Sequence, residues 1–437
     1  MLWALKRWKL IWAVALIVLL TVPAAGLARH YAHTMAPPPV EPLNLIRVLG
    51  SGPAPFALDA RAAMLTEFHS GEVLYAYNEH MRMQPASLAK IMTFYITLEA
   101  LQNGKLTLDT PVTISEKAWR LSINQTVSKM FLEVGQQVPV KQLLYGLMVS
   151  SGNDAAMALA EYLGGSEEGF VAMMNEHCQR MGLDETHFAS PDGLPEPDQY
   201  TTASDMVKLG SLLLTRFPNA LEYTSAKEFT FDKITQRNWN TLLLYDARVD
   251  GIKTGHVDEA GFHLVSTAHQ DNMRLISAVM GAPNAEKRRT ETEKLLAWAF
   301  RSFVNVQPDW HSLAPASLPV YEGAAPSVAL APPDSMYITL PRGEEKKIKM
   351  SGGLDVSYLV APVAKGAKVG SVTVREDDRT LLSVPIVTQN EVARGGIFRV
   401  MVDKLALLMH RLGALIVSAI AAAIHKIPFI GPRLVPG

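Results

Sequence analysis

The period of apolar and polar positions changes several times along this chain, and each change marks a different kind of element. Lys6, Arg7 and Lys9 precede an unbroken apolar run over 10–20, followed by Pro23, Ala24, Ala25, Gly26, Leu27 and Ala28. A basic start, an apolar middle and a small-residue end form the layout of a secretory signal, with Gly26 and Ala28 at the small positions before a cut. Stretched to spanning length, the run reads instead as an uncleaved anchor. Residues 1–28 are thus a signal peptide or N-terminal anchor, and either reading exports the remainder. Residues 29–56 carry Pro37, Pro38, Pro39, Pro42, Gly50, Gly52, Pro53 and Pro55 and read as a linker.

From 57 to 305 the period mixes. Residues 72–77 alternate like a strand, and 87–101 read as a helix with no Pro or Gly until Gly104. Val140, Leu143, Leu144, Leu147 and Met148 recur at helical spacing. The runs 262–268 and 273–280, joined by Gln270-Asp271-Asn272, predict a hairpin. Helices set between strand runs without regular alternation predict an α+β fold with an antiparallel sheet flanked by helices and a helical subdomain. Residues 306–335 are again Pro- and Ala-rich. Short β-rich runs at 336–340, 369–374 and 381–387 then predict a small all-β domain, so that 306–394 reads as a linker and a β-sandwich-like domain. From Ile397 onward the chain reads as a helix. Lys404, Arg411, Ser418 and His425 recur every seven residues, with Asp403, His410 and Lys426 beside them, as a narrow polar stripe on an apolar helix. The longest uncharged stretch, 412–424, is shorter than a membrane span, so 395–437 reads as an amphipathic membrane-anchor helix lying in the surface. The alternative is a helix packed on the protein's own core.

Composition narrows the function classes. The 437 residues are 48% hydrophobic and 19% charged, with 41 basic against 42 acidic side chains. Such a chain can bury a large core, and it lacks the basic excess of a nucleic-acid binder. Cys178 is the only cysteine, which excludes an intrachain disulfide and reads as a small buried hydrophobe. The 12 histidines form no H-E-x-x-H pattern, and no metal or other cofactor is expected; His263 and His269 fall in the predicted hairpin and read as structural.

Three short motifs lie within 57–305. In Ser87-Leu88-Ala89-Lys90 a hydroxyl and an amine stand three apart, neighbours on one helix face. A serine hydroxyl needs a base to attack, and a lysine whose charge is disfavoured can be that base. Ser151-Gly152-Asn153 supplies a second hydroxyl and an amide, although taken alone it reads as a helix-capping turn with Asp154. Lys253-Thr254-Gly255 would present a cation and a hydroxyl on a strand edge, with Gly255 letting a ligand approach the backbone.

In that order the three form the signature of penicillin-binding proteins and class A β-lactamases. With Pro85-Ala86 before the first, Asp154-Ala155 after the second, Met181-Gly182-Leu183, Thr186-His187-Phe188, Val249-Asp250-Gly251-Ile252 before the third and His256 after it, the chain resembles the D-alanyl-D-alanine carboxypeptidases of the low-molecular-mass penicillin-binding proteins, serine peptidase type S11. The resemblance covers nearly all of the mature chain. It implies a transpeptidase/β-lactamase-like fold and removal of the terminal D-alanine from peptidoglycan stem pentapeptides, with penicillin as inhibitor. It also implies an exported protein on the periplasmic face of the inner membrane, held peripherally through the C-terminal helix. In the roles it implies, Ser87 attacks and is acylated, Lys90 is the base, and Ser151 passes a proton to the leaving amine. Asn153 orients the substrate, Lys253 sets a positive field, Thr254 binds the terminal carboxylate, and the N–H groups of Ser87 and His256 form the oxyanion hole. The two lysines are expected to disfavour each other's charge. Asp192-Gly193-Leu194 departs from the family, since many relatives carry histidine before the Gly-Leu pair. Three rivals are a β-lactamase, whose water-activating glutamate would have to be Glu196 although Leu194-Pro195-Glu196-Pro197 does not match the class A loop, a non-catalytic peptidoglycan-binding scaffold, and a transpeptidase using an amine acceptor.

Overall fold

The computed structural model describes residues 56–332, 336–409 and 412. The expected signal or anchor of 1–28, the linker up to 55 and the helix beyond 412 lie outside the described residues. Five antiparallel strands form the central sheet: β1 (Ala62–Glu67), β2 (Val73–Tyr77), β3 (Val249–Val257), β4 (Gly261–Gln270) and β5 (Met273–Ala282), in the order β2-β1-β5-β4-β3. The expected hairpin is β4–β5, turning at Asp271, which has φ +55°.

Alternation along these strands feeds two cores. Ala63, Leu65, Leu275 and Val279 face one side, where the helix over Ala285–Ser302 packs through Leu295, Leu296 and Ala299. Met64, Ile276, Ala278 and Met280 face the other side, against a helical layer. That layer contains α1 (Lys90–Gln102), α2 (Glu116–Ile123), α3 (Val140–Met148), α4 (Asn153–Gly164), α5 (Glu167–Met181) and α6 (Ala203–Arg216); we number the 285–302 helix α7. The strands therefore read as nearly continuous apolar runs, because both faces are covered. Cys178 on α5 is buried, and burial pushes its thiol up to about 12, so it packs as a hydrophobe.

The C-terminal β domain has a core of its own, including Leu318, Val320, Val328, Leu330, Val372, Val374 and Ile386. Its strands are β6 (Phe303–Val306), β7 (Ser317–Tyr321), β8 (Ser327–Ala331), β9 (Ile338–Pro341), β10 (Ile348–Leu354), β11 (Leu359–Val360), β12 (Lys368–Glu376) and β13 (Arg379–Thr388). Six form one sheet, β10-β12-β13-β8-β7-β11, while β6 and β9 pair separately at the junction. The 306–335 stretch thus supplies two strands where a Pro/Ala-rich connection was expected. Polar contacts tie the domains together: Ser70 Oγ lies 2.6 Å from Thr339 Oγ1, and Arg342 donates to the carbonyls of Phe300, Arg301 and Phe303.

A helix begins at 397 and runs through 409. Asp403 is buried and accepts from the Glu322 backbone N–H at 2.6 Å and from Arg399 Nε at 2.9 Å. The polar stripe is therefore not wholly solvated; at Asp403 it faces the β domain. Ile397, Phe398, Met401, Val402, Leu405 and Met409 are exposed instead. Among the described residues, no helix is long and apolar enough to cross a membrane.

Candidate active site

Ser87 sits in a single tight turn, Ala86–Ala89, that runs directly into α1. Ala86 holds φ +49°, an uncommon conformation for a residue with a side chain. Backbone strain of this kind persists only where surrounding contacts enforce it, and it clusters at functional sites. Two neighbours press on this turn. Gly255 in β3 comes so close that a Cβ there would stand 3.1 Å from the Pro85 carbonyl and 3.3 Å from Leu88 Cγ. The space that Gly255 leaves is filled by the serine turn, not kept for a ligand as its sequence context suggested. Gly193, with φ +81°, leaves no room for any side chain against the Ala86 carbonyl.

Lys90, the first residue of α1, is fully buried. Its Nζ lies 2.8 Å from Ser87 Oγ, 2.5 Å from Asn153 Oδ1 and 2.6 Å from the Asp192 carbonyl. A neutral amine has two N–H donors and one lone pair. The protonated amine donates to all three, Ser87 Oγ, Asn153 Oδ1 and the Asp192 carbonyl; once it loses a proton it keeps two donors for Asn153 and Asp192 and can accept from Ser87. Burial lowers the Lys90 pKa to about 8, against the opposing pull of the Asp192 and Asp154 carboxylates. Desolvation dominates at Lys90, and Lys253 is held well below its usual range by burial first and by the Lys90 charge second, as expected of two neighbouring cations.

Ser151 occupies the turn between α3 and α4 with φ +58°. Its hydroxyl accepts from Lys253 Nζ at 2.9 Å, and Lys253 also donates to the Thr254 carbonyl at 3.1 Å. The turn is fixed by Gly152 N–H on the Gly146 carbonyl (2.9 Å) and by Trp239 Nε1 on the Ser150 carbonyl (3.2 Å). Asn153 begins α4 and donates its backbone N–H to the Ser128 carbonyl. Asp154 does more than the capping turn suggested. It is buried and takes Met130 N–H at 3.0 Å, Leu132 N–H at 3.3 Å and the Ser122 hydroxyl at 2.7 Å, so it anchors the 122–132 segment beside the site.

The third motif lies on β3, the edge strand of the sheet, as expected. Lys253, Thr254 and Gly255 are buried there, while the His256 side chain is exposed and stacks on Phe262 at 3.8 Å between ring centroids. The structure thus brings Ser87, Lys90 and Asn153 into one hydrogen-bonded group, and Ser151 and Lys253 into a second. It packs Gly255 on the serine turn and leaves the His256 ring at the rim.

Two residues beside the site lie outside the three motifs. Arg288, at the start of α7, is buried; desolvation lowers it to about 10, and its NH2 donates to the Trp239 carbonyl at 3.1 Å. The run Lys287-Arg288-Arg289 looks like any solvated helix start. Asp192 was visible only as a departure from the family, yet its carbonyl and buried carboxylate stand beside Lys90. Glu196, the rival's water activator, is exposed, and its carbonyl is held by Gln84 Nε2 at 2.9 Å. His263 is structural: it accepts from Gly281 N–H at one ring nitrogen and lies 3.1 Å from the Gln84 carbonyl at the other. Burial lowers it to about 4 and keeps it neutral.

Comparison with known proteins gives the family. Residues 50–284 match the family model described as D-alanyl-D-alanine carboxypeptidase, peptidase S11, and 313–394 match that of the penicillin-binding protein 5 C-terminal domain. The D-alanyl-D-alanine carboxypeptidase DacA of Escherichia coli K12 is 40% identical over 356 residues, 81% of this chain and 88% of that protein. The crystal structure of penicillin-binding protein 5 from Haemophilus influenzae is 39% identical with TM-score 0.67, covering 78% of this chain and 100% of its own. Penicillin-binding protein D2 from Listeria monocytogenes, in its cefotaxime-bound form, is 32% identical with TM-score 0.52 over 57% of this chain and 100% of its own. The family match spans more than half of the chain and the relative is 40% identical over most of it, so this chain belongs to the D-alanyl-D-alanine carboxypeptidase family of serine peptidases, type S11.

Proposed function

We propose that this serine-type D-alanyl-D-alanine carboxypeptidase removes the terminal D-alanine of peptidoglycan stem peptides through an acyl-enzyme on Ser87. The observation that carries the reading is the three-way contact of Lys90 Nζ with Ser87 Oγ, Asn153 Oδ1 and the Asp192 carbonyl. Neutral Lys90 takes the Ser87 proton as Oγ attacks the penultimate carbonyl carbon. The departing D-alanine amine takes its proton from the Ser151 hydroxyl, which is refilled from Lys253. Water then attacks the ester and gives its proton to the Ser151–Lys253 pair, while protonated Lys90 returns a proton to Ser87. Protons balance over the cycle.

The terminal carboxylate binds at Thr254, beside Lys253 and near Arg288. Its negative charge favours the cationic form of Lys253, which burial otherwise opposes. The N–H groups of Ser87 and His256 hold the developing oxyanion. A β-lactam enters the same site and acylates the same oxygen. Ser87→Ala is expected to abolish both D-alanine release and labelling by a fluorescent penicillin. Full labelling of that variant would remove Ser87 as the nucleophile.

The second reading is peripheral attachment of the exported chain to the periplasmic face of the inner membrane. The exposed row Ile397, Phe398, Met401, Val402, Leu405 and Met409 supports it. That row is apolar and faces away from the contact at Asp403, as a surface-lying helix requires.

A further inference from the structure

The segment 189–199 packs on the serine turn and on α1, and it holds one carboxylate out of water. Gln199 Oε1 accepts from the N–H groups of Ala189 and Ser190, both at 3.1 Å. Ser190 Oγ accepts from Gly193 N–H at 3.1 Å, and Thr93 of α1 donates to the Pro191 carbonyl at 2.6 Å. Within this frame Asp192 is 2% exposed. Its Oδ1 accepts from Leu194 N–H at 2.9 Å, while Oδ2 is buried with no hydrogen-bond partner. A buried carboxylate oxygen without a donor is costly, and burial holds the Asp192 carboxyl above its usual range; the charge of Lys90, whose Nζ touches the carbonyl of the same residue, is the largest influence acting the other way.

We infer that the Asp192 carboxylate is the counter-charge of Lys90, a positioning residue that sets the pH at which the catalytic base becomes neutral. The inference rests on the reading of Lys90 as the base of Ser87. The other charged groups around the pair are Asp154 on α4, which adds to the effect; Glu167 on α5, which opposes the ionisation of Asp192; Lys253 on β3; and Arg288 on α7, which acts on Lys253. Asp192 is the larger carboxylate influence on Lys90. A neutral polar residue at 192 would leave Lys90 with burial and one weaker counter-charge, and the lysine would lose its proton at lower pH. The carboxylate therefore restrains the base in acid rather than activating it.

The test is the second-order rate of acylation by a fluorescent penicillin, measured across pH for the wild-type full chain and for Asp192→Asn. The asparagine oxygen can still accept from Leu194 N–H. The acid limb is expected to move down by about one pH unit, giving up to about tenfold faster acylation on its steep part. An unmoved limb, or an equal loss of rate at every pH, with unchanged circular dichroism and thermal midpoint, would overturn the inference and leave Asp192 a packing residue. If wild type does not acylate at any pH, the reading of Ser87 and Lys90 fails instead. If Asp192→Asn does not fold, infrared spectra of the free wild-type protein decide. No carboxylic-acid band from a buried protonated carboxyl is expected at neutral pH, and finding one assigned to residue 192 would refute the charge pair.

Discussion

Gly193 shows how much of the site depends on a single hydrogen atom. A Cβ there would stand 1.7 Å from the Ala86 carbonyl oxygen, and the residue already holds φ +81°. Gly193→Ala must either strain its backbone or push the 189–199 segment off the serine turn. The expected cost is about 2–3 kcal/mol of stability, with D-alanine release nearly lost. A chemical denaturation curve beside an activity assay checks both, and a variant as stable and active as wild type would show that the turn does not rely on this contact. At the same scale, the Ser87–Lys90 pair was legible in the sequence because three helical positions are one turn. The positive φ values of Ala86 and Ser151 were not. Neither residue type asks for that conformation; their neighbours in space impose it.

At the scale of elements, alternation and helical spacing foretold β2, α1, α3 and the β4–β5 hairpin, because each is long and periodic. They failed at 317–331. Leu318 and Val320 alternate with exposed Ser317 and Pro319, a strand pattern, but Pro319 and Pro326 disguised it as a connection. The first turns of the C-terminal helix were read without their docking, since a contact between Asp403 and the Glu322 N–H leaves no local trace in sequence. Its exposed apolar row gives an element-level expectation. Deleting 397–437 from a chain lacking 1–28 should release the protein from anionic phospholipid vesicles while leaving D-alanine release from a soluble peptide unchanged. Equal co-sedimentation of the deleted and undeleted chains would place membrane binding elsewhere.

Over the whole molecule, the site exists only because distant stretches converge. Ser151 and Lys253 meet across 102 positions, as do Lys90 and the Asp192 carbonyl. Local pattern cannot foresee such meetings; the ordered motif set could, because that order recurs with one fold. The β domain stands apart from this convergence, with its own core and with junction contacts at Ser70, Thr339 and Arg342. The central claim is that neutral Lys90 deprotonates Ser87. Burial places the lysine near pH 8, so its neutral fraction falls as pH drops below that value. The most direct measurement is the pH dependence of wild-type penicillin acylation. The rate should fall about tenfold per pH unit on the acid side of about pH 8 and level off above it. A rate that stays flat from pH 6 to 9, or a limb that survives unchanged in Lys90→Ala, would contradict the claim.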